Sequence, residues 1–115
     1  NLQESELRRM SREIDAGART RADAELLIAV HLHETGFALN PRYPFGLTCC
    51  MRRVHRRGDA ARIALEILHL GEQRCGTRAG SLRRYNSGSC REARGPSGYA
   101  ANVLRTVERL RRVRP

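Results

Sequence analysis

The sequence has no tryptophan and no lysine, and its aromatic residues are three tyrosines and two phenylalanines. With so few aromatics, the core must be built from Leu, Ile, Val, Ala and Met. That composition suits helix packing better than a β-sandwich. Stacking platforms for single-stranded nucleic acid are correspondingly scarce. Long apolar runs are also missing. The longest, "LLIAV" at 26–30, is far too short to span a bilayer. No stretch alternates with period two, and there are no internal repeats, no glycine-rich phosphate loop and no G-x-S-x-G elbow. No signal peptide is visible, and the chain starts at Asn1. The expectation is a processed or trimmed form of an exported protein.

What is present starts with charge. All 22 basic residues are arginine and the net charge is +10. Such a balance favours polyanionic partners, namely nucleic acid, acidic lipid or bacterial wall polymer, without choosing among them. A length of 115 residues predicts one domain, 1–115, with a modest core. The four cysteines, Cys49, Cys50, Cys75 and Cys90, form an even set. Zinc sites space their thiols by about two to four residues, so adjacent Cys49 and Cys50 are poor metal ligands. Two disulfides in an oxidising compartment fit better, with free thiols in a reducing cytosol as the alternative. Sequence does not give the connectivity. Because vicinal bridges are strained, Cys49 and Cys50 are each expected to pair with Cys75 or Cys90.

Helical periodicity recurs along the chain. In "ESELRRMSREIDAG", Leu7, Met10 and Ile14 share a face, and Gly17 closes the segment. Thr20 and Asp23 resemble a capping pair ahead of "RADAELLIAVHLHE", which ends at Thr35-Gly36. "FALNPRYPFGL" (37–47) reads as loop, with room for a small irregular ribbon. "TCCMRRVHRR" predicts a short helix stopped at Gly58. Asp59 is expected to cap "AARIALEILHLGEQR", with Ile63, Ile67 and Leu70 on one face. A short helix around "AGSLRRY" leads into the turn residues Asn86, Ser87, Gly88 and Ser89. Ser97 is expected to cap a last helix with the stripe Ala100, Val103, Leu104, Val107 and Leu110. The fold class is mainly α.

Glu34 stands out chemically. It ends an apolar helix, where the macrodipole presents negative partial charge. Burial and the dipole both favour the neutral acid, the form in which a carboxyl acts as general acid. The plain alternative is an exposed terminal glutamate paired with an arginine. "HETGF" begins like the H-E-x-x-H zinc signature, but Phe37 stands where the second histidine is required. His31 and His33, two apart on a helix, do not share a face and make poor metal ligands. Each is expected to be a core or cleft-wall residue, with His33 able to line a substrate groove. No metal site is predicted. Cys90 shows no sign of thiol activation.

Taken together, "HETGFALNPRYPFGL", "YNSGS" and "GYAANVL" resemble the soluble lytic transglycosylases and goose-type lysozymes. In that family a helix ends in Glu-Ser and a loop ends in Gly-Leu-Met-Gln. A Tyr-Asn-x-Gly turn then precedes a helix opening with Tyr. The similarity runs over about residues 24–110. It implies a lysozyme-like helical domain with an irregular loop after the catalytic helix. Glu34 falls on the catalytic acid and Tyr99 on the tyrosine that faces it. Thr35, in place of the usual serine, Gly46, Leu47, Tyr85, Asn86 and Gly88 fall on substrate-binding positions. The family's Met-Gln is replaced by Thr48-Cys49, unless a shift places Met51 on the methionine and Arg52 on the glutamine.

The resemblance implies cleavage of the β-1,4 bond between N-acetylmuramic acid and N-acetylglucosamine in peptidoglycan. Products with 1,6-anhydromuramyl ends are expected, since no aspartate partner for hydrolysis is evident. Asp59, Glu66 and Glu72 are the carboxylates that could supply one. The implied partners are glycan strands, with a larger envelope machine as a further possibility. Nucleic acid, cofactor and transmembrane segment are not expected, and the expected location is periplasmic or extracellular. A hydrolytic muramidase, a non-catalytic wall- or protein-binding descendant, and an arginine-driven nucleic-acid binder are the alternatives.

Overall fold

The computed structural model describes residues 2–35, 43–91 and 98–113. Its helices are α1 (Leu2–Gly17), α2 (Arg21–Glu34), α3 (Asp59–Cys75), α4 (Arg78–Ser87) and α5 (Tyr99–Arg112). Short 3-10 turns at Pro44–Gly46 and Met51–Arg53 lie between α2 and α3. The chain is mainly helical, as expected, with no strand among the described residues. None of the helices is long and apolar enough to cross a membrane. Two compact units divide the chain, Asn1–Leu65 and Glu66–Pro115. Gly36 and Ser97, expected as helix-end residues, lie outside the described residues, as does most of the 37–47 loop. For α5 the N-cap is Gly98, without a side-chain capping bond.

In the first unit the expected Thr20 cap is present. Its hydroxyl oxygen accepts the Asp23 N–H at 3.1 Å, an interaction typically worth about 1 kcal/mol. Leu26, Leu27, Ala29 and Val30 of α2 are buried. Of the α1 stripe, Ile14 is buried, Met10 is half-buried and Leu7 is exposed, so only its C-terminal end is covered. There α1 meets α3 almost backbone to backbone. A Cβ on Gly17 would lie 2.5 Å from the Ala61 Cβ and 2.7 Å from the Gly58 carbonyl oxygen.

The start of α3 corrects one expectation. Glu13 of α1, rather than Asp59, takes one of the first amides of α3, accepting the Ala61 N–H at 3.1 Å. Asp59 turns back instead. Its Oδ2 accepts the N–H groups of His55 at 2.9 Å and Arg56 at 2.8 Å, while Arg62 donates to Oδ1. The Arg62 bond, followed by those two amides, holds the Asp59 carboxyl well below its ordinary value of 3.8. The folded state thus favours the ionised form. The stabilisation is complete above about pH 5 and is lost progressively as pH falls below it. The denaturation midpoint should therefore drop between about pH 5 and pH 2. In Asp59→Asn this part of the drop should be smaller. An unchanged acid profile would show that the Asp59 bonds do not stabilise the fold.

One further reading is corrected. The helix expected over 48–57 is only the turn Met51–Arg53. Cys50 sits in the left-handed region (φ 69°) and Val54 is extended, so helical geometry is broken on both sides. On α3 the face shared by Ile63, Ile67 and Leu70 is covered only at its N-terminal end. Ala60, Ala61, Ile63, Ala64, Leu65 and Leu68 are buried, Ile67 is half-buried and Leu70 is exposed. Ala61 sits where Gly17 of α1 approaches, which leaves no room for a larger side chain.

In the second unit α4 packs against α5, with Leu82 and Val103 fully buried. The Thr77 hydroxyl oxygen accepts the Gly80 N–H at 2.9 Å. Gly88, left-handed at φ 85°, closes the helix by donating its N–H to the Arg84 carbonyl. Ser81 is buried, its hydroxyl donating to the Leu68 carbonyl of α3. On α5, Ala100, Val103 and Val107 are buried and Leu104 and Leu110 half-buried, as the stripe predicts.

All four cysteines are paired, but not as expected. Cys75, ending α3, pairs with Cys90, whose Cα lies 5.5 Å away, and Cys49 pairs with its neighbour Cys50. α4 returns the chain to the end of α3, so Cys90 meets Cys75 locally. No bridge links the loop after Glu34 to the 86–88 stretch.

Candidate active site

Glu34 is the last residue of α2, and the helix is closed around it by Thr35. The Thr35 N–H and hydroxyl both donate to the His31 carbonyl, at 3.0 and 2.6 Å. Glu34 is half-buried rather than exposed, and its Oε1 lies beneath the surface with no hydrogen-bond partner among the described residues. A buried polar atom without a partner costs free energy, and functional sites are one place where that cost is retained.

Against this carboxyl lies the turn Pro44–Gly46. Gly46 has φ +72°, and a Cβ there would lie 2.8 Å from the Glu34 Cβ and 3.0 Å from Oε2. The glycine therefore serves two needs at once, a left-handed backbone and close passage beside Glu34. Gly46→Ala is expected to cost roughly 2 kcal/mol, from positive φ and overpacking together. Because the nearest atom is the Glu34 Cβ, the end of α2 or the turn itself must shift. Urea denaturation measures the loss, and a variant as stable as the parent would show that the turn does not press on Glu34.

His31, one turn earlier on α2, also holds that turn. Buried at 2% exposure, it accepts the Phe45 N–H on Nδ1 at 3.2 Å. Its ring packs edge-on against Phe45 with centroids 5.3 Å apart. Since Nδ1 accepts, the imidazole is the neutral tautomer carrying its proton on Nε2. His31 is thus a core residue, one of the two roles expected, but its anchoring of the 44–46 turn went unread. The available signal was spacing, since residues 31 and 34 lie on one helical face. His33 is half-buried, and desolvation holds its pKa below the usual imidazole value.

Leu47, expected to bind substrate, is buried, whereas Thr48, Cys49, Cys50, Met51 and Arg52 are exposed. Glu34, Gly46 and Leu47 thus belong to the first unit, with Glu34 and Gly46 in contact. Thr35 lies there too, whereas Tyr85, Asn86, Gly88 and Tyr99 belong to the second. Tyr85 and Asn86 do not form a free turn but the last turn of α4, with Gly88 as its closing residue. Tyr85 is half-buried and Asn86 exposed. Tyr99 opens α5 with its hydroxyl oxygen buried. Among the described residues no three His, Cys, Asp or Glu side chains are grouped as metal ligands. Comparison with family models, curated proteins and solved structures found no match.

Proposed function

We propose that this protein cleaves the glycan strands of peptidoglycan between N-acetylmuramic acid and N-acetylglucosamine, with Glu34 as the catalytic group. The supporting observation is the buried, unpartnered Oε1 of Glu34 beside a glycine that leaves the carboxyl uncovered by any side chain of its own. As an acid, Glu34 donates its proton to the glycosidic oxygen while the substrate acetamido group assists departure. As a carboxylate, it then takes the proton of the muramyl 6-hydroxyl as the 1,6-anhydro ring closes. Substrate participation replaces the second carboxylate of ordinary two-carboxylate glycosidases.

Ring closure is favoured over hydrolysis on two grounds. The 6-hydroxyl arrives with the substrate, an advantage of several kcal/mol over a water that must be positioned. Of the three candidate bases for a water, Asp59 is already held by Arg62 and two backbone amides. Thr35, Tyr85, Asn86, Gly88 and Tyr99 are assigned to substrate by resemblance alone. A periplasmic or extracellular location agrees with paired cysteines.

Mass spectrometry of fragments released from purified sacculi tests the proposal. Anhydromuramyl ends, one water lighter than reducing ends, are the expected products. Mainly reducing ends would make the enzyme a muramidase. No release of either would refute glycan cleavage.

A further inference from the structure

The arginines are not equivalent. On α1, Arg8 and Arg9 pair with Glu4 and Glu6. On α5, Arg111 and Arg112 reach Glu108 at 3.6 and 3.7 Å. The segment after the Cys49–Cys50 pair is different. "MRRVHRRGD" places Arg52, Arg53, Arg56 and Arg57 within six residues, all four exposed. Its sole carboxylate, Asp59, is held by the His55 and Arg56 amides and by Arg62, which also donates to the Ala16 and Arg57 carbonyls. The backbone is thus fixed from within, while Arg52, Arg56 and Arg57 have no ion pair among the described residues.

We infer that the Met51–Asp59 segment is a docking surface for a phosphodiester polymer lacking nucleobases, of the sugar- or polyol-phosphate kind. The guanidinium groups of Arg52, Arg56 and Arg57, in so short a span, match a chain that carries one phosphate per unit. Each guanidinium can bind a phosphate through two parallel N–H bonds. A sparsely carboxylated polymer offers too few charges for that density. Single-stranded nucleic acid would need several aromatic faces for successive bases, and residues 48–62 contain no Phe, Tyr or Trp, His55 being their one aromatic ring. Duplex DNA is read chiefly by a helix or ribbon in a groove, and this segment is a turn and a loop. Stable membrane anchoring takes an apolar element as well as basic charge, and Met51 is the segment's one exposed large apolar residue. This surface is independent of glycan cleavage and stands or falls separately from it.

The test uses the intact, oxidised protein and a fluorescent poly(glycerol phosphate), with equal-length single-stranded DNA, poly-glutamate and anionic vesicles as competing probes. The combined variant Arg52→Gln, Arg56→Gln, Arg57→Gln leaves Asp59 and Arg62 untouched. It is expected to weaken polymer binding at least ~10-fold and to flatten its salt dependence. Arg105→Gln, Arg109→Gln, Arg111→Gln on α5 removes the same charge and should change binding only about two-fold. Equal losses in both variants would reduce the effect to net charge and overturn the inference. So would DNA, poly-glutamate or vesicles binding as tightly as the glycerol phosphate chain, or no binding at all. Should the combined variant misfold, wild-type protein is treated with phenylglyoxal with and without polymer. Shielding of Arg52, Arg56 and Arg57, but not of Arg109, supports the surface, and uniform labelling sinks it.

Discussion

Replacing Glu34 by glutamine is expected to lower the release of soluble fragments from purified sacculi by about 10³-fold while leaving the helical circular dichroism intact. Glutamine keeps the length of the side chain and fits beside Gly46, but it has no proton to give and cannot recover one as base. The packing that surrounds the carboxyl, the Thr35 bonds to the His31 carbonyl and the His31–Phe45 anchor, does not involve the Glu34 head group. Stability should therefore stay level or rise, since the buried Oε1 has no partner to lose among the described residues. Comparing soluble turnover with the thermal midpoint separates the two roles. Activity within a few-fold of the parent would remove Glu34 from the chemistry. A collapse in stability would make it a packing residue.

The second large effect concerns Cys75 and Cys90. Their bridge closes a separation of 15 residues, for which chain entropy alone predicts about 3 kcal/mol of stabilisation. Changing both to alanine should lower the thermal midpoint by roughly 10 °C. The same double change at Cys49 and Cys50 closes no loop of consequence, so its effect on unfolded-chain entropy is small. A pair of variants with equal losses would show that loop closure is not what the Cys75–Cys90 bridge contributes.

How far the sequence disclosed this architecture depended on which physical signal each element used. α2 was legible because three independent cues coincided: the Thr20–Asp23 cap, a dense apolar run and its abrupt end at Glu34. The α5 stripe was legible because its large apolar residues are themselves the buried ones. α3 was only partly legible for the opposite reason. Its packing relies on Ala60, Ala61 and Ala64, and small residues give little periodic contrast. The 85–88 stretch was taken for a turn because Asn, Ser and Gly favour turns. In the fold those residues complete a helix, and only Gly88 adopts the left-handed geometry. Glu34 was singled out by position and by resemblance, and the structure sets Gly46 against it. The anchoring role of His31 was hidden because its partner is a backbone N–H, which no residue type announces. Asp59 was misassigned for a similar reason, because a capping carboxylate can serve the loop before it as readily as the helix it opens.

The adjacency of Cys49 and Cys50 also bears on how the protein becomes oxidised. Four thiols can pair in three ways, and two of those would cross-link distant parts of the chain wrongly. Neighbouring thiols need no search to find one another, although the ring they close is strained, whereas any other partner must diffuse in from a long stretch of unfolded polypeptide. Once residues 49 and 50 have closed on each other, Cys75 and Cys90 are left with a single choice. In that order of closure the small ring withdraws two competitors, and the bridge within the second unit can form in one way only.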